Sequence, residues 1–447
     1  QVAQVKCVLG AYFPCPGSTV LFKFVCKHMM FVFWVLWFSA VAINGIHGEL
    51  ECEDPASLLQ RGDIHDKVNM TTMVEAQVAK NVIDMEPVLQ CLRLTTPNIQ
   101  TLKYPKDAEK HFEKLQEVLA PYVQVAKNHF HGRSCSEGFC GPWIEDRWPE
   151  HFMSTWQNRT SGKDATKRLA EVFGPFIPIF VPYNDLGRTS AGEYAKMIDT
   201  LQKSLRPDVA YITLANILFG LINPPPEKSL LQYERMLHIM KTFPNVVVLG
   251  PGGYGHVPIP HLKQPEELLQ KPFFKPMAKR DLLVSFMGRY ETNSLRKKMK
   301  QIVEEEAKTL GVKVDMHVEF EANDVWHQVA GNSKVSLCPR GSGRTSYRLF
   351  EILQLGLIPV HVYWDIPWLP YPNLYKNIGF STDLEGLPEL LKKINDMDLQ
   401  ELERMEERIR SFKATHFTYE GVLNQISLFM KNGGSDLRCQ KLPDGYK

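Results

Sequence analysis

Apolar positions along this chain fall into three patterns, and their order along the sequence gives the first view of its architecture. Short unbroken apolar runs bounded by glycine or proline occur within 176–185, 245–250, 282–288, 335–338 and 357–362, with the length and composition of buried strands. Other segments place apolar residues at helical spacing. Tyr347, Phe350 and Leu353 fall near one face before Gly356, LQELERMEERIRSF (399–412) is a charged amphipathic helix, and Tyr419 to Met430 closes the chain. From Val335 to Val362 the two patterns join into strand, loop, helix, strand. The third pattern is Met29 to Ile43, almost wholly apolar, with Lys23 and Lys27 before it and Glu49, Glu51, Glu53 and Asp54 after it.

The turn inside the strand–loop–helix–strand unit carries the candidate chemistry. Pro339 to Gly343 holds two glycines and opens a helix, so free backbone N–H groups and a positive dipole end make a natural anion site. Arg340, Arg344 and Arg348 add three guanidinium groups, whose planar forks suit phosphate. Arg344 and Arg348, one helical turn apart, repel each other unless an anion sits between them. Gly341 allows close backbone approach, Ser346 adds a hydroxyl, and Glu351 can accept hydrogen bonds from sugar hydroxyls. The unit therefore reads as a pyrophosphate site. The alternative is a solvated helix face with Glu351 as a salt-bridge partner.

Other nucleotide and metal motifs fail on context. Gly341 to Ser346 lacks the lysine of a Walker loop. Gly250, Gly252 and Gly255 have dinucleotide-binding spacing, but Pro258 and Pro260 follow and forbid the helix that fingerprint requires. A nicotinamide oxidoreductase is thus only an outside alternative. The triplet Asp396 to Asp398 precedes a helix and reads as its cap. No His/Cys group has zinc spacing, and no obligatory metal or cofactor is expected.

SFMGR (285–289), SLCPRG (336–341), SYRLFE (346–351), GLIPV (356–360) and DIPWLPY (365–371) resemble, in order and spacing, the exostosin family's glycosyltransferase domain. GPWIEDRWPEHF (141–152), FIPIFVPYND (176–185) and GPGGYGHVPIP (250–260) are similar to that family's amino-terminal half, and THFTYEGV (415–422) to its closing helix. Ile352 and Leu357 stand where the family often has alanine and cysteine, and YITLANILFG (211–220) lacks a polar run present in some relatives. The resemblance implies an α/β chain of the GT-B type: two Rossmann-like lobes behind an amino-terminal membrane anchor or signal segment. It implies an inverting enzyme whose carboxy lobe holds a nucleotide-diphosphate sugar, UDP-linked. Carried over, Arg289, Arg340 and Arg348 contact the diphosphate, Ser346 donates a hydroxyl, and Glu351 holds the ribose or sugar. Arg289 also has a warrant of its own, since it follows an apolar run at the carboxy end of a strand. The base for the acceptor hydroxyl is sought in the amino lobe among Glu145, Asp146, Asp185 and His256.

Composition adds bounds. The 447 residues are 44% hydrophobic and 23% charged with net charge +2, an ordinary globular balance with no electrostatic case for nucleic acid. The expected organisation is a tail and signal-anchor at 1–48, a stem or amino-terminal extension at 49–133, an acceptor lobe at 134–275, a donor lobe at 276–430 and a tail at 431–447. Lysines before the apolar span point to a type II membrane orientation, and the resemblance implies the Golgi membrane, while Ala40 and Ala42 keep a cleaved signal and a secreted or ER-lumenal product as the alternative. Beyond the span lie Cys52, Cys91, Cys135, Cys140, Cys338 and Cys439, an even number that permits disulfides, with Cys135 and Cys140 the nearest local pair and Cys338 a core thiol. Asn69 and Asn158 head glycosylation sequons. The expected partners are a nucleotide-sugar donor, a glycan or glycoprotein acceptor and a membrane, with homo- or hetero-oligomers left open. The competing class is a catalytically degenerate member that binds nucleotide or glycan without turnover.

Overall fold

Four all-parallel strands make the first sheet of the computed structural model: β1 (Ile177–Ile179), β2 (Tyr211–Leu214), β3 (Val246–Gly250) and β4 (Val257–Pro258), in spatial order β1-β2-β3-β4. The structure describes residues 83–130, 141–160, 169–189, 191–216, 243–263, 275–317 and 325–441. Every residue of these strands is buried, which is why they read as continuous apolar runs. Around the sheet lie α1 (Glu86–Arg93), α2 (Ala108–Phe130), α3 (Ile144–Thr160), α4 (Leu169–Phe173), α5 (Tyr183–Thr189) and α6 (Ala191–Ser204). Residues 86–130, expected in a stem, belong to this lobe instead. The reason is apolar burial: α2 turns Phe112, Leu115, Leu119 and Ala126 inward, and the Phe112 ring meets Phe173 at 5.8 Å and Trp156 at 6.1 Å.

The second sheet is also parallel, with β5 (Leu282–Met287), β6 (Val314–His317), β7 (Ser333–Pro339), β8 (Pro359–Val362) and β9 (Phe380–Thr382) in the order β6-β5-β7-β8-β9. Its helices are α7 (Leu295–Leu310), α8 (Trp326–Gly331), α9 (Tyr347–Leu355), α10 (Pro372–Tyr375), α11 (Leu387–Asp396), α12 (Leu399–His416) and α13 (Tyr419–Met430). The chain runs from β5 outward to β6, then crosses back to place β7 on the other side of β5. That reversal is a topological switch point, where open α/β sheets form a crevice beyond the carboxy ends of their strands. The expected strand at 335–338 widens to the whole of β7. The expected strand at 357–362 shortens to β8, because Gly356 takes a left-handed conformation (φ 80°) and the N–H of Leu357 returns to Ile352 O at 3.0 Å.

Asp398 caps α12, accepting from Gln400 N at 3.1 Å, while Asp396 ends α11, so the triplet joins two helices. The closing helix α13 packs against α3 and α4 of the first lobe as well as α12 of the second. Both lobes lie within one compact unit, Asn81–Lys447. The tail after α13 is tied to both: Cys439 forms a disulfide with Cys91, and Gln440 donates from its N–H to His256 O at 2.8 Å and from Nε2 to Pro367 O at 2.6 Å. Cys338 is a free, buried thiol. The segment Met29 to Ile43, Asn69 and the pair Cys135 and Cys140 lie outside the described residues. Among the described residues no helix is long and apolar enough to cross a membrane.

Candidate functional site

The switch point between β5 and β7 gathers most of the predicted donor residues. Arg289 leaves β5 at its carboxy end and is exposed. Arg340 leaves β7, and its guanidinium shapes the following loop by donating from Nε to Gly343 O at 3.1 Å and from Nη2 to Ser342 O at 3.3 Å. Gly341 sits where its N–H bonds Thr345 O at 2.8 Å, and a Cβ there would lie 3.2 Å from that oxygen. Arg296, on α7, joins the two strand exits by donating to Arg289 O at 2.8 Å and Arg340 O at 3.2 Å while buried at 7% exposure. Nothing in the sequence set Arg296 apart from its neighbours Lys297 and Lys298; only the fold turns it inward.

Helix α9 begins beside this point. Ser346 is its N-cap, with extended backbone (φ −144°, ψ 158°), yet its side chain makes no capping bond. The hydroxyl is buried and has no hydrogen-bond partner among the described residues. A buried polar group without a partner costs roughly 1–3 kcal/mol, so a donor aimed at a helix amino terminus marks a place that a ligand completes. Arg348, one turn in, lies 4.0 Å from the Trp326 ring centroid, donates from Nη1 to Met287 O at 2.6 Å and pairs with Glu351 through Nε at 3.0 Å. The salt bridge foreseen as the alternative for Glu351 is therefore present, and it holds the carboxylate at the helix face.

Arg344 is placed differently from the diphosphate role given to it. Its side chain has 0% exposure, and its guanidinium donates twice to Asp365 Oδ2, at 2.9 and 2.6 Å, and once to Gly253 O. It also lies 4.5 Å from the Tyr254 ring centroid. Burial would raise the Asp365 carboxyl, but the bonds and charge of Arg344 outweigh it and hold it below the usual range. Arg344 thus locks the two lobes together at the glycine turn. That turn offers four successive carbonyls to the carboxy lobe. Gly250 O accepts from Trp368 Nε1 at 2.9 Å, Pro251 O from Thr345 Oγ1 at 2.7 Å, Gly252 O from Arg344 N at 2.9 Å, and Gly253 O from the Arg344 guanidinium. A turn that presents carbonyl oxygens repels phosphate, and β4 follows it, not a helix; the dinucleotide reading fails on both counts.

The base candidates separate in the same way. His256 is buried, takes the Val248 N–H on Nδ1 at 3.1 Å and meets Thr95 Oγ1 through Nε2 at 2.7 Å; burial lowers it to about 3. With both ring nitrogens engaged inside the amino lobe, it is a structural residue and not the base. Glu145 is 4% exposed and accepts from the N–H groups of Tyr183 and Asn184 at the start of α5. Burial, then the charges of Asp146 and Asp185, push it well above the usual carboxylate range, and the two N–H groups it accepts from make it the cap of α5. Asp146 caps its own turn by accepting from Trp143 N at 2.8 Å, and burial with the Asp185 charge raises it to about 6. Glu145, Asp146 and half-buried Asp185 line one cavity of about 290 Å³ in the amino lobe, together with Lys127, Pro142 and Phe180. Among the described residues no group of three His, Cys, Asp or Glu could hold a metal ion.

The lobes also meet through aromatic rings, of which the sequence marked only Tyr347, as part of a helix face. Tyr347, first residue of α9, packs against His261 with ring centroids 3.8 Å apart and stacks on Trp143 at 6.1 Å. Trp143 leads into the α3 turn that holds Asp146, so the acid-lined cavity and the start of α9 are neighbours.

No protein-family model and no curated protein sequence matches the chain. Among solved structures it is similar to an alpha-glucosyltransferase in complex with UDP-glucose and DNA containing an abasic site, at 10% identity and a TM-score of 0.32, covering 63% of this chain and 84% of that one. It is also similar to SsfS6, a Streptomyces sp. SF2575 glycosyltransferase, at 13% identity and a TM-score of 0.25, covering 55% of this chain and 74% of that one.

Proposed function

We propose that the chain is a glycosyltransferase that takes a sugar from a UDP-linked donor and passes it, with inversion, to a glycan or glycoprotein acceptor in the secretory pathway. The observation that carries this reading is the start of α9. A buried Ser346 hydroxyl with no hydrogen-bond partner among the described residues sits at a helix amino terminus, at the switch point of a parallel sheet, with Arg289 and Arg340 at the strand exits and Arg348 on the same helix. Fixed cationic groups and helix N–H donors stabilise the charge that grows on a departing nucleoside diphosphate, a role that needs no metal ion. Glu351, held in place by Arg348, presents a carboxylate to sugar or ribose hydroxyls.

The acceptor enters from the amino lobe in this reading. An Asp146 or Asp185 carboxylate takes the proton of the acceptor hydroxyl as its oxygen bonds the anomeric carbon. The bond from that carbon to the phosphate oxygen breaks, and its electron pair leaves with the diphosphate. A carboxyl raised to about 6, as at Asp146, is mostly ionised near neutral pH and is a stronger base than an ordinary carboxylate. A second reading, a nucleotide-binding relative without turnover, draws support from the structural engagement of Glu145 and His256.

The test is thermal unfolding of the chain with a panel of nucleotide sugars, with and without EDTA, followed by a transfer assay with the donor that binds. One UDP-sugar should raise the midpoint, equivalent to about 2.7 kcal/mol at a hundredfold excess over Kd, and the shift should survive EDTA. A shift without transfer to any glycan or water selects the second reading. No shift with any nucleotide sugar would sink both.

A further inference from the structure

His261 lies three residues after β4, in the amino lobe, and is 1% exposed. Its Nε2 is buried with no hydrogen-bond partner among the described residues. Its ring lies against Tyr347, centroids 3.8 Å apart and planes tilted by 34°. Side chains on a helix lean back toward its amino terminus, and Tyr347 is the first residue of α9. A ring packed on Tyr347 therefore lies beside the amino-terminal end of α9, across the boundary between the lobes. Two buried polar side chains without partners among the described residues, Ser346 Oγ from one lobe and His261 Nε2 from the other, thus belong to the same helix end, Ser346 as its N-cap and His261 through the ring of Tyr347. Each alone carries a desolvation cost, and one enclosed polar ligand relieves both.

The chemistry of the ligand follows from the donors. The helix terminus and Ser346 offer N–H and O–H groups, which call for an anionic oxygen. Burial lowers His261 to about 3, so its ring is uncharged at neutral pH and carries one N–H. A neutral imidazole has one N–H to donate, and a phosphate oxygen can accept it. We propose that His261 is the amino lobe's ligand for the donor diphosphate, donating from Nε2–H to a phosphate oxygen that Ser346 and the start of α9 hold from the other side. This rests on the reading of the site as one for a nucleoside diphosphate, and it makes the bound nucleotide a bridge between the lobes. The Tyr347 ring, already in contact with His261 and with Lys263 Nζ at 5.8 Å from its centroid, keeps the imidazole in place for that bond.

The test is calorimetric titration of the whole chain with UDP and with inorganic pyrophosphate. His261→Phe keeps a ring against Tyr347 and removes the donor; it should weaken both ligands about 10-fold or more, the value of a hydrogen bond to a charged group. His261→Gln restores an N–H near the place of Nε2 and should recover most of that loss. The unfolding midpoint without ligand should stay unchanged or rise slightly in His261→Phe, which keeps the ring and removes the buried polar atom. Equal affinity of wild type and His261→Phe would overturn the role of His261 while leaving the nucleotide site standing. Failure of the folded wild type to bind UDP or pyrophosphate would remove the site itself, and this inference with it. A second measurement keeps the proposal falsifiable if His261→Phe does not fold: in ¹⁵N-histidine spectra of wild type, UDP should shift the protonated Nε2 resonance of His261. An unmoved resonance at saturating UDP would overturn the proposal.

Discussion

Two glycine turns follow parallel strands in this molecule, and they do opposite things. The turn after β3, Gly250 to Gly255, shows its carbonyl oxygens to the other lobe, which meets them with Trp368, Thr345 and Arg344. The turn after β7, Pro339 to Gly343, leads into α9, whose N-cap hydroxyl is buried with no partner among the described residues. The first sits in a sheet whose strands run in simple order, the second at the reversal of strand order between β5 and β7. Glycine spacing alone is common to both. What separates an anion site from a packing joint is the helix that follows and the direction in which the backbone dipoles point.

The joint is where substitution should have its largest effect on stability. Arg344→Ala leaves half-buried Asp365 without its counter-ion and the Gly253 carbonyl without its donor, and losing this pair with its hydrogen bonds costs about 3 kcal/mol. Urea unfolding should show a midpoint lowered accordingly. A loss below about 1 kcal/mol together with a large loss of UDP binding would return Arg344 to the phosphate role and erase the contrast between the turns.

His256 anchors the first turn and supplies a test by pH. Its folded value, about 3, lies below the ordinary 6.5, so the fold keeps the ring neutral while the unfolded chain takes up a proton as pH falls. Stability is therefore full above pH 6.5 and is lost progressively as pH drops toward 3. Between neutral pH and pH 5 the share of one such histidine is roughly 2 kcal/mol. His261 and His361 act in the same direction, and Glu145 and Asp146 in the opposite one, so the comparison must be wild type against His256→Gln, where those groups cancel. The variant should start less stable and fall less steeply over that range. Parallel curves would mean that His256 does not carry the turn.

The two turns were not equally legible in the sequence. The unit from β7 to β8 is built by near neighbours: an apolar run, a glycine loop, helical spacing and Gly356 as a stop lie within a few residues of one another, so its outline could be read directly. The failure of the first turn to open a helix was also local, written in Pro258 and Pro260. The burial of Arg344 was not, because its partners Gly253 and Asp365 stand 91 and 21 residues away and only the packed lobes bring them together. The same holds for Arg296, indistinguishable in sequence from an exposed lysine-rich helix face. It holds for the disulfide between Cys91 and Cys439, 348 residues apart, and for His261, whose significance lies in the ring of Tyr347. Spacing shows which residues share an element; it does not show which charges the tertiary fold will consume.

The smallest expected effect on stability is the most discriminating. Ser346 and Thr418 are both N-cap residues with extended backbone, and only Thr418 uses its side chain as a cap, accepting from Gly421 N at 2.9 Å. Thr418→Ala should therefore cost about 1 kcal/mol, the usual worth of a cap. Ser346→Ala loses no such bond and removes a buried hydroxyl without a partner, so the empty protein should be unchanged or more stable by up to about 1 kcal/mol. In the presence of UDP the order reverses: the alanine variant should gain less from the nucleotide than wild type does, because the hydroxyl then has an oxygen to bond. Thermal unfolding of the three proteins with and without UDP reads both signs at once. If Ser346→Ala instead loses about as much stability as Thr418→Ala and responds to UDP like wild type, the hydroxyl is an ordinary cap, and the second turn is a packing joint like the first.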